Sequence, residues 1–302
     1  MIWLEKFVLP DAEREWQIAR KRREENGGAF GYLENGYPCG LFPERGLGEL
    51  DFEPITLLYG GNGSGKSTLL NLIAEKLRIK RQAPYNGGEL FLPFAEACGV
   101  RFGLDDEGEP LPLPEESRIV SSDDVFEYML AARTRNEQIE EDLEQGKEDY
   151  ASLKFGETLP FRGIEDYDLY RKQVLARTKS LSRRKFLRRF AGRAVKLNSN
   201  GETALEFFAS VLQNDRLYLL DEPENSLSPK MQLSVKELIE KKARYCGCQF
   251  VIATHSPFLL ALKGAKIYDL DSAPVSLKKW WELENAQTYF RFFYENKDLF
   301  PK

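Results

Sequence analysis

Short apolar runs that stop abruptly at polar or small residues set the rhythm of this 302-residue chain. Residues 49–59, ELDFEPITLLY, end in one such run; residues 216–224, RLYLLDEPE, hold a second; residues 249–257, QFVIATHSP, hold a third. Runs of this length bounded by turn residues predict β-strands. After the first run, Leu69, Leu70, Ile73 and Leu77 recur at helical spacing in STLLNLIAEKL, so a helix follows a strand across a short loop. Further strands are predicted at Met1–Leu9 and at Arg118–Ser122.

Elsewhere the pattern changes. DAEREWQIARKRREENGG, after the first strand, reads as a short charged helix ended by glycines. The Pro- and Gly-rich stretch Ala83–Pro114 reads as hairpins and loops of a β-rich lobe. From about Asp123 to Lys196 the strand signal disappears and two long helical stretches take over, DVFEYMLAARTRNEQIEEDLEQ and EDYDLYRKQVLARTKSLSRRKFLRRFAGRAVK. The terminal stretch NAQTYFRFFYENKDLF predicts a helix whose closely spaced aromatics need a cover. The chain's own core is the expected cover, and a partner protein is the other.

The loop between the first apolar run and its helix is Gly60, Gly61, Asn62, Gly63, Ser64, Gly65, Lys66 and Ser67, followed by Thr68. It fits G-x-x-x-x-G-K-[ST], in which glycines let successive N–H groups turn inward around phosphates and the helix N-terminus adds its positive dipole end. In such a loop Lys66 reaches the outer phosphates and the Ser67 hydroxyl ligates Mg²⁺. A nucleoside triphosphate, ATP by the resemblance given below, is the expected ligand.

The second run ends in two consecutive carboxylates. Asp221 suits Mg²⁺ held through its water shell, and Glu222 is placed to orient or polarise an attacking water. A plain strand-ending turn at Pro223 is the structural alternative. The third run carries His255, the single histidine of the chain, at its polar end. In open α/β sheets ligands collect at the C-terminal strand ends, which brings His255 within reach of a γ-phosphate.

Together these stretches resemble the ATP-binding-cassette (ABC) ATPases, in the soluble branch that includes SMC and RecF-type proteins and the "predicted ATPase" (AAA family ATPase) group. The resemblance covers most of the chain. It implies an α/β P-loop NTPase of ABC type, with a mixed sheet, a β-rich lobe and a helical insertion. It makes Gly60 to Thr68 the Walker A loop, Leu217 to Glu222 the Walker B strand, Glu222 the catalytic glutamate, His255 the switch histidine and Asn225 to Pro229 the D-loop. A signature loop is expected at Asn198-Ser-Asn-Gly-Glu-Thr, where Ser199 and Gly201 would bind the γ-phosphate held by another subunit; Ser199 and Glu202 also fit a capping box. Since the chain shows one loop of each kind, the resemblance implies an ATP-dependent homodimer with two nucleotides between the subunits.

Two departures stand against a transporter. Ser228 replaces the usual D-loop aspartate, and no glutamine follows Arg118–Ser122 where a Q-loop belongs; Asp123 and Asp124 stand there, and Asp123 is either a Mg²⁺ ligand or a helix cap. The organisation read from this is one ATPase domain, with residues 1–122 and 198–302 as lobes around a helical arm, 123–197.

Composition refines the picture. With 42% hydrophobic and 30% charged residues the chain is an ordinary globular protein, and a net charge of −5 excludes a surface basic all over. Yet Leu169–Gly201 holds eleven Arg or Lys and no acid. That run is either a solvated helix face or a phosphate-binding stripe, with Arg183, Arg184, Arg188 and Arg189 at helical spacing and Phe186 and Phe190 beside them. For the adenine, Tyr32, Tyr37 and Phe42 are candidate stacking partners, with core packing the expected role of each. Cys39, Cys98, Cys246 and Cys248 lack zinc or redox spacing and read as reduced thiols. No run approaches the ~18 apolar residues a membrane span needs, and acids occupy the place of a signal peptide's positive flank. A cytoplasmic location without membrane contact is expected.

The expected activity is a Mg²⁺-dependent ATPase whose dimerisation controls a nucleic acid or an effector protein such as a nuclease, in DNA repair, genome maintenance or anti-phage defence. The rivals are the energising subunit of a membrane transporter and a slow-turnover, ATP-sensing regulator.

Overall fold

The computed structural model describes residues 1–27, 35–85, 87–157, 164–178, 200–225 and 227–300. They form two compact units, Met1–Phe126 with Ala204–Lys302, and Glu127–Thr203.

The first half of the larger unit opens with β1 (Leu4–Val8) and α1 (Ala12–Glu25). Helix α1 is the charged helix its sequence predicts: Asp11 caps it by accepting the Arg14 N–H at 2.8 Å, and acids in the first turn and bases in the last complement the helix dipole. Next come β2 (Glu49–Asp51), β3 (Ile55–Tyr59) and α2 (Lys66–Lys76). After α3 (Phe91–Ala97) and β4 (Gly99–Phe102), strand β5 (Arg118–Ser121) leads directly into the long helix α4 (Ser122–Phe155).

Helices α5 (Tyr167–Arg177) and α6 (Asn200–Val211) precede β6 (Leu217–Asp221). Then follow α7 (Pro229–Tyr245), β7 (Gln249–Ala253) and the single turn α8 (Pro257–Leu260). The chain continues through β8 (Lys266–Asp269) and β9 (Ser276–Leu277) to α9 (Glu284–Glu295).

Two sheets organise the larger unit. The main one runs β5-β6-β7-β3-β8-β9, parallel except for β9; the smaller one, β2-β1-β4, is antiparallel. This is the mixed α/β architecture with a β-rich lobe that the motifs imply. Strands β3 and β7 are buried along their whole length, as their continuous apolar runs require of central parallel strands. The run 49–59 divides at Pro54 between β2 in the small sheet and β3 in the large one. Gln249 joins the sheets: its Oε1 accepts the N–H groups of Trp3 and Leu4, each at 2.8 Å, and its Nε2 donates to Leu4 O at 2.8 Å. The amide is fully buried, so these bonds replace the water it has lost.

Two expectations need correction. Ala83–Pro114 is not hairpins and loops throughout: Phe91, Phe94 and Ala95 lie three and four residues apart, face the core and form α3. Among the described residues, the core does not cover the aromatics of α9. Leu283 and Ala286 alone reach the interior from this segment, while Tyr289, Phe290, Phe292, Phe293 and Tyr294 occupy too much of the helix circumference for one face to take them and stay exposed.

In the smaller unit, α4 packs Tyr150 and Leu153 with Ala176 of α5. Arg177 locks the pair by donating to Leu153 O at 3.1 Å and Gly156 O at 2.7 Å.

Candidate functional site

Strand β3 ends at Tyr59, and the chain turns through Gly60–Gly65 before α2 begins at Lys66. Gly63 and Gly65 sit at φ +79° and +96°, open to glycine and strained for other residues. At Gly65 a Cβ would also stand 3.2 Å from Leu41 Cδ2 and 3.3 Å from Phe42 Cε1. Lys66 is 4% exposed, and its ammonium donates to Gly60 O at 2.7 Å and Gly61 O at 3.0 Å. The first-turn amides of α2 have no acceptors within the helix, and their dipole favours an anion. Ser64 Oγ is buried in the same loop without a hydrogen-bond partner among the described residues.

From β6 the chain supplies the carboxylates. Ser67 Oγ donates to Asp221 Oδ1 at 2.9 Å. Burial pushes the Asp221 carboxyl up to about 6; the Ser67 hydroxyl pulls it down, the Glu222 charge adds to the rise, and Lys66 and Arg81 oppose it. Glu222 has φ +47°, a conformation that costs a non-glycine residue about 1–2 kcal/mol. Its carboxylate faces Lys66 Nζ at 3.7 Å and His255 Nδ1 at 3.6 Å, both through Oε1, while Oε2 accepts Asn225 Nδ2 at 3.1 Å.

Strand β7 lies between β3 and β6, so the loop after it emerges between the glycine turn and the carboxylates. That loop carries Thr254, His255 and Ser256. Glu224 holds it: Oε1 accepts Thr254 Oγ1 at 2.6 Å and the N–H groups of His255 at 2.9 Å and Ser256 at 3.1 Å.

These placements bring Lys66, Ser67, Asp221, Glu222 and His255 to one edge of the sheet. Asp123 is exposed in the first turn of α4; beside it the buried Asp124 accepts from Ser121 N at 2.7 Å, Ser121 Oγ at 2.9 Å and Ala83 N at 3.1 Å, and its own N–H donates to Ser121 Oγ at 3.4 Å. Phe42 belongs to the core, and Tyr37 spends its hydroxyl on Thr68 Oγ1 at 2.8 Å. Gly201 falls in the first turn of α6. Ser199, Tyr32, Phe186, Phe190, Arg183, Arg184, Arg188 and Arg189 lie outside the described residues.

Sequence reasoning missed Glu224, Arg81 and Asp271, and named Asn225 only as the start of the D-loop. The acid after Pro223 is the one local signal for the first. Asp271, which accepts the Gly61 N–H at 2.8 Å, and Arg81, beside Asp221, come from loops with no motif.

The donor set suits a magnesium nucleotide. Among the described residues no three His, Cys, Asp or Glu cluster as a metal cage. The Ser67 hydroxyl and Asp221 carboxylate are two hard oxygens, and Mg²⁺ takes few protein ligands while keeping phosphate oxygens and waters.

Residues 76–261 match the family described as "AAA domain, putative AbiEii toxin, Type IV TA system". An uncharacterized ABC transporter ATP-binding protein/permease of Saccharomyces cerevisiae is 28% identical over 214 residues, 68% of this chain but 14% of that protein. The thiamine import ATP-binding protein ThiQ of Mesorhizobium japonicum is 27% identical over 223 residues, covering 74% of this chain and 72% of ThiQ. Among solved structures, the SMC head domain from Thermotoga maritima shares 16% identity at a TM-score of 0.42, covering 91% of this chain and 98% of that one. No helix among the described residues is long and apolar enough to cross a membrane.

Proposed function

The chain belongs to this AAA domain family, and from that premise we propose a Mg²⁺-dependent ATPase that dimerises around two ATP molecules and separates on hydrolysis. One observation carries the reading: Lys66, Glu222 and His255, from three adjacent strand ends, converge on one point, with Glu222 Oε1 at 3.7 Å from Lys66 Nζ and 3.6 Å from His255 Nδ1.

In this reading the Gly60–Thr68 amides and Lys66 bind the phosphates, and Ser67 with Asp221 holds Mg²⁺. The bound ion supplies neutralisation of charge on the phosphate oxygens. Glu222 orients and polarises the attacking water, and His255 contacts the γ-phosphate. Ser199 and Gly201 complete the site of the second subunit. The two-fold pair then acts on an effector protein or on nucleic acid, through Arg183, Arg184, Arg188 and Arg189, in genome maintenance or defence. A family description that names a toxin supports the defence setting.

Glu222→Gln, which keeps the shape and removes the charge, is expected to accumulate an ATP-bound dimer on size-exclusion chromatography with light scattering. A variant that stays monomeric in saturating ATP overturns the dimer reading. A second reading, the energising subunit of a transporter, draws support from the names of the yeast and Mesorhizobium relatives. Copurification of the trapped variant with a membrane protein decides for it; retention of nucleic acid or a nuclease decides for the first.

A further inference from the structure

We infer that Glu224 is the positioning residue that holds His255 against Glu222. The proposal rests on the ATPase reading for its kinetic consequence and on the geometry alone for its structural one.

Glu224 is 5% exposed, and all three hydrogen bonds to its carboxylate come from the loop after β7, on the single oxygen Oε1: the Thr254 hydroxyl at 2.6 Å, the His255 N–H at 2.9 Å and the Ser256 N–H at 3.1 Å. Successive backbone N–H groups turned toward one anion form a nest, and bonds to a charged acceptor are stronger than neutral ones. Oε2 has no hydrogen-bond partner among the described residues, so the described bonds to this buried carboxylate go to that one loop.

Chain connectivity gives the arrangement its consequence. Glu222 and Glu224 lie on one turn, separated only by Pro223, whose ring restricts the turn. Both carboxylates approach the imidazole, Glu222 Oε1 at 3.6 Å and Glu224 Oε1 at 3.7 Å from Nδ1, but Glu224 alone of the two also accepts the N–H of the histidine's backbone, at 2.9 Å. The spacing between Glu222 and His255 is thereby set by Glu224. Gln232 of α7 extends the brace, since its Oε1 accepts Ser256 Oγ at 2.7 Å and its Nε2 donates to Leu227 O at 3.0 Å.

The test uses the full chain and its single histidine, which yields one imidazole spin system after ¹⁵N-histidine labelling. In Glu224→Ala without nucleotide, the imidazole ¹⁵N signals are expected to shift and broaden as the loop is released. A folded Glu224→Ala with an unchanged imidazole spectrum overturns the proposal. In turnover, the same variant is expected to lower kcat by about 10- to 100-fold while the ATP KM moves by less than about threefold, because misplacing a catalytic group by about 1 Å costs rate rather than affinity. Introduced into His255→Ala, it is expected to lower kcat by less than about twofold further, since contacts that act through one group are not additive. Multiplicative losses overturn the proposal. Should Glu224→Ala fail to fold, Thr254→Val, which removes the 2.6 Å bond to Glu224 and the 3.0 Å bond that Thr254 Oγ1 accepts from the Ser256 N–H, carries both arms with smaller effects. A wild-type chain without ATP turnover overturns the ATPase reading, and the imidazole spectrum still decides on Glu224.

Discussion

Ser67, in the first turn of α2, donates its hydroxyl to Asp221, at the end of β6, across 2.9 Å and 154 positions of sequence. The pair is where the glycine turn and the carboxylate strand become one site, and it supplies two adjacent oxygens of the kind Mg²⁺ prefers. Asp221→Asn is expected to abolish the part of ATP stabilisation that needs Mg²⁺. In the wild-type chain, ligand at about 100 times its Kd adds about 2.7 kcal/mol, which raises Tm by about 4 °C. Thermal melts with ATP, with and without Mg²⁺, check this; an equal Mg²⁺ increment in both proteins contradicts it.

Lys66→Ala removes the buried ammonium that bridges Gly60 O and Gly61 O and stands 3.7 Å from Glu222. ATP affinity is expected to fall about 10-fold or more and turnover about 100-fold or more, since a preorganised charge in a site shielded from water is worth several kcal/mol. Calorimetric titration and phosphate release measure the two separately.

Glu222→Gly relieves a left-handed backbone, φ +47°. The relief of about 1–2 kcal/mol exceeds the entropy cost of glycine, about 0.5–1 kcal/mol, so urea denaturation is expected to show a variant at least as stable as wild type. Its turnover is expected to collapse. A clear loss of stability would mean that the contacts of Glu222 to Lys66, His255 and Asn225 outweigh the strain.

The four cysteines are free, and burial raises the thiols of three, Cys39, Cys98 and Cys248. Burial raises the Cys39 thiol to about 11, with Glu15 adding to the effect, and burial raises Cys98 to about 12. Because the thiolate is the nucleophile, a raised value keeps each thiol protonated and inert at pH 8. Iodoacetamide at that pH, followed by mass spectrometry, is expected to leave Cys39 and Cys98 unmodified in the folded chain and to modify them in urea.

Much of this molecule answers to neighbours within a turn or two of chain, and that part was legible. The glycine turn before α2, the apolar runs of β3, β6 and β7 and the charged helix α1 follow from local periodicity, capping and backbone freedom, and the resemblance to ABC-type ATPases, which the family match and the relatives bear out, rests on the same stretches. α3 was misread because Pro93 within it and Gly87 and Gly88 before it masked a short helical repeat. The rings of α9 were misplaced because periodicity reveals an apolar face without saying whether the body of the protein reaches it.

The sequence by itself therefore determined which groups are available to the proposed nucleotide site: the amides from Gly60 onward, Lys66, Ser67, the two carboxylates and one histidine. Tertiary structure alone decided that β7, last of the three in chain order, inserts between β3 and β6, which puts His255 and Lys66 on the same oxygen of Glu222. It also decided that Glu224, silent in the sequence, grips the histidine loop. Strand order arises from hydrogen-bonded pairing and burial between segments far apart in the chain, and that energy leaves no mark on the spacing of residues within any one of them.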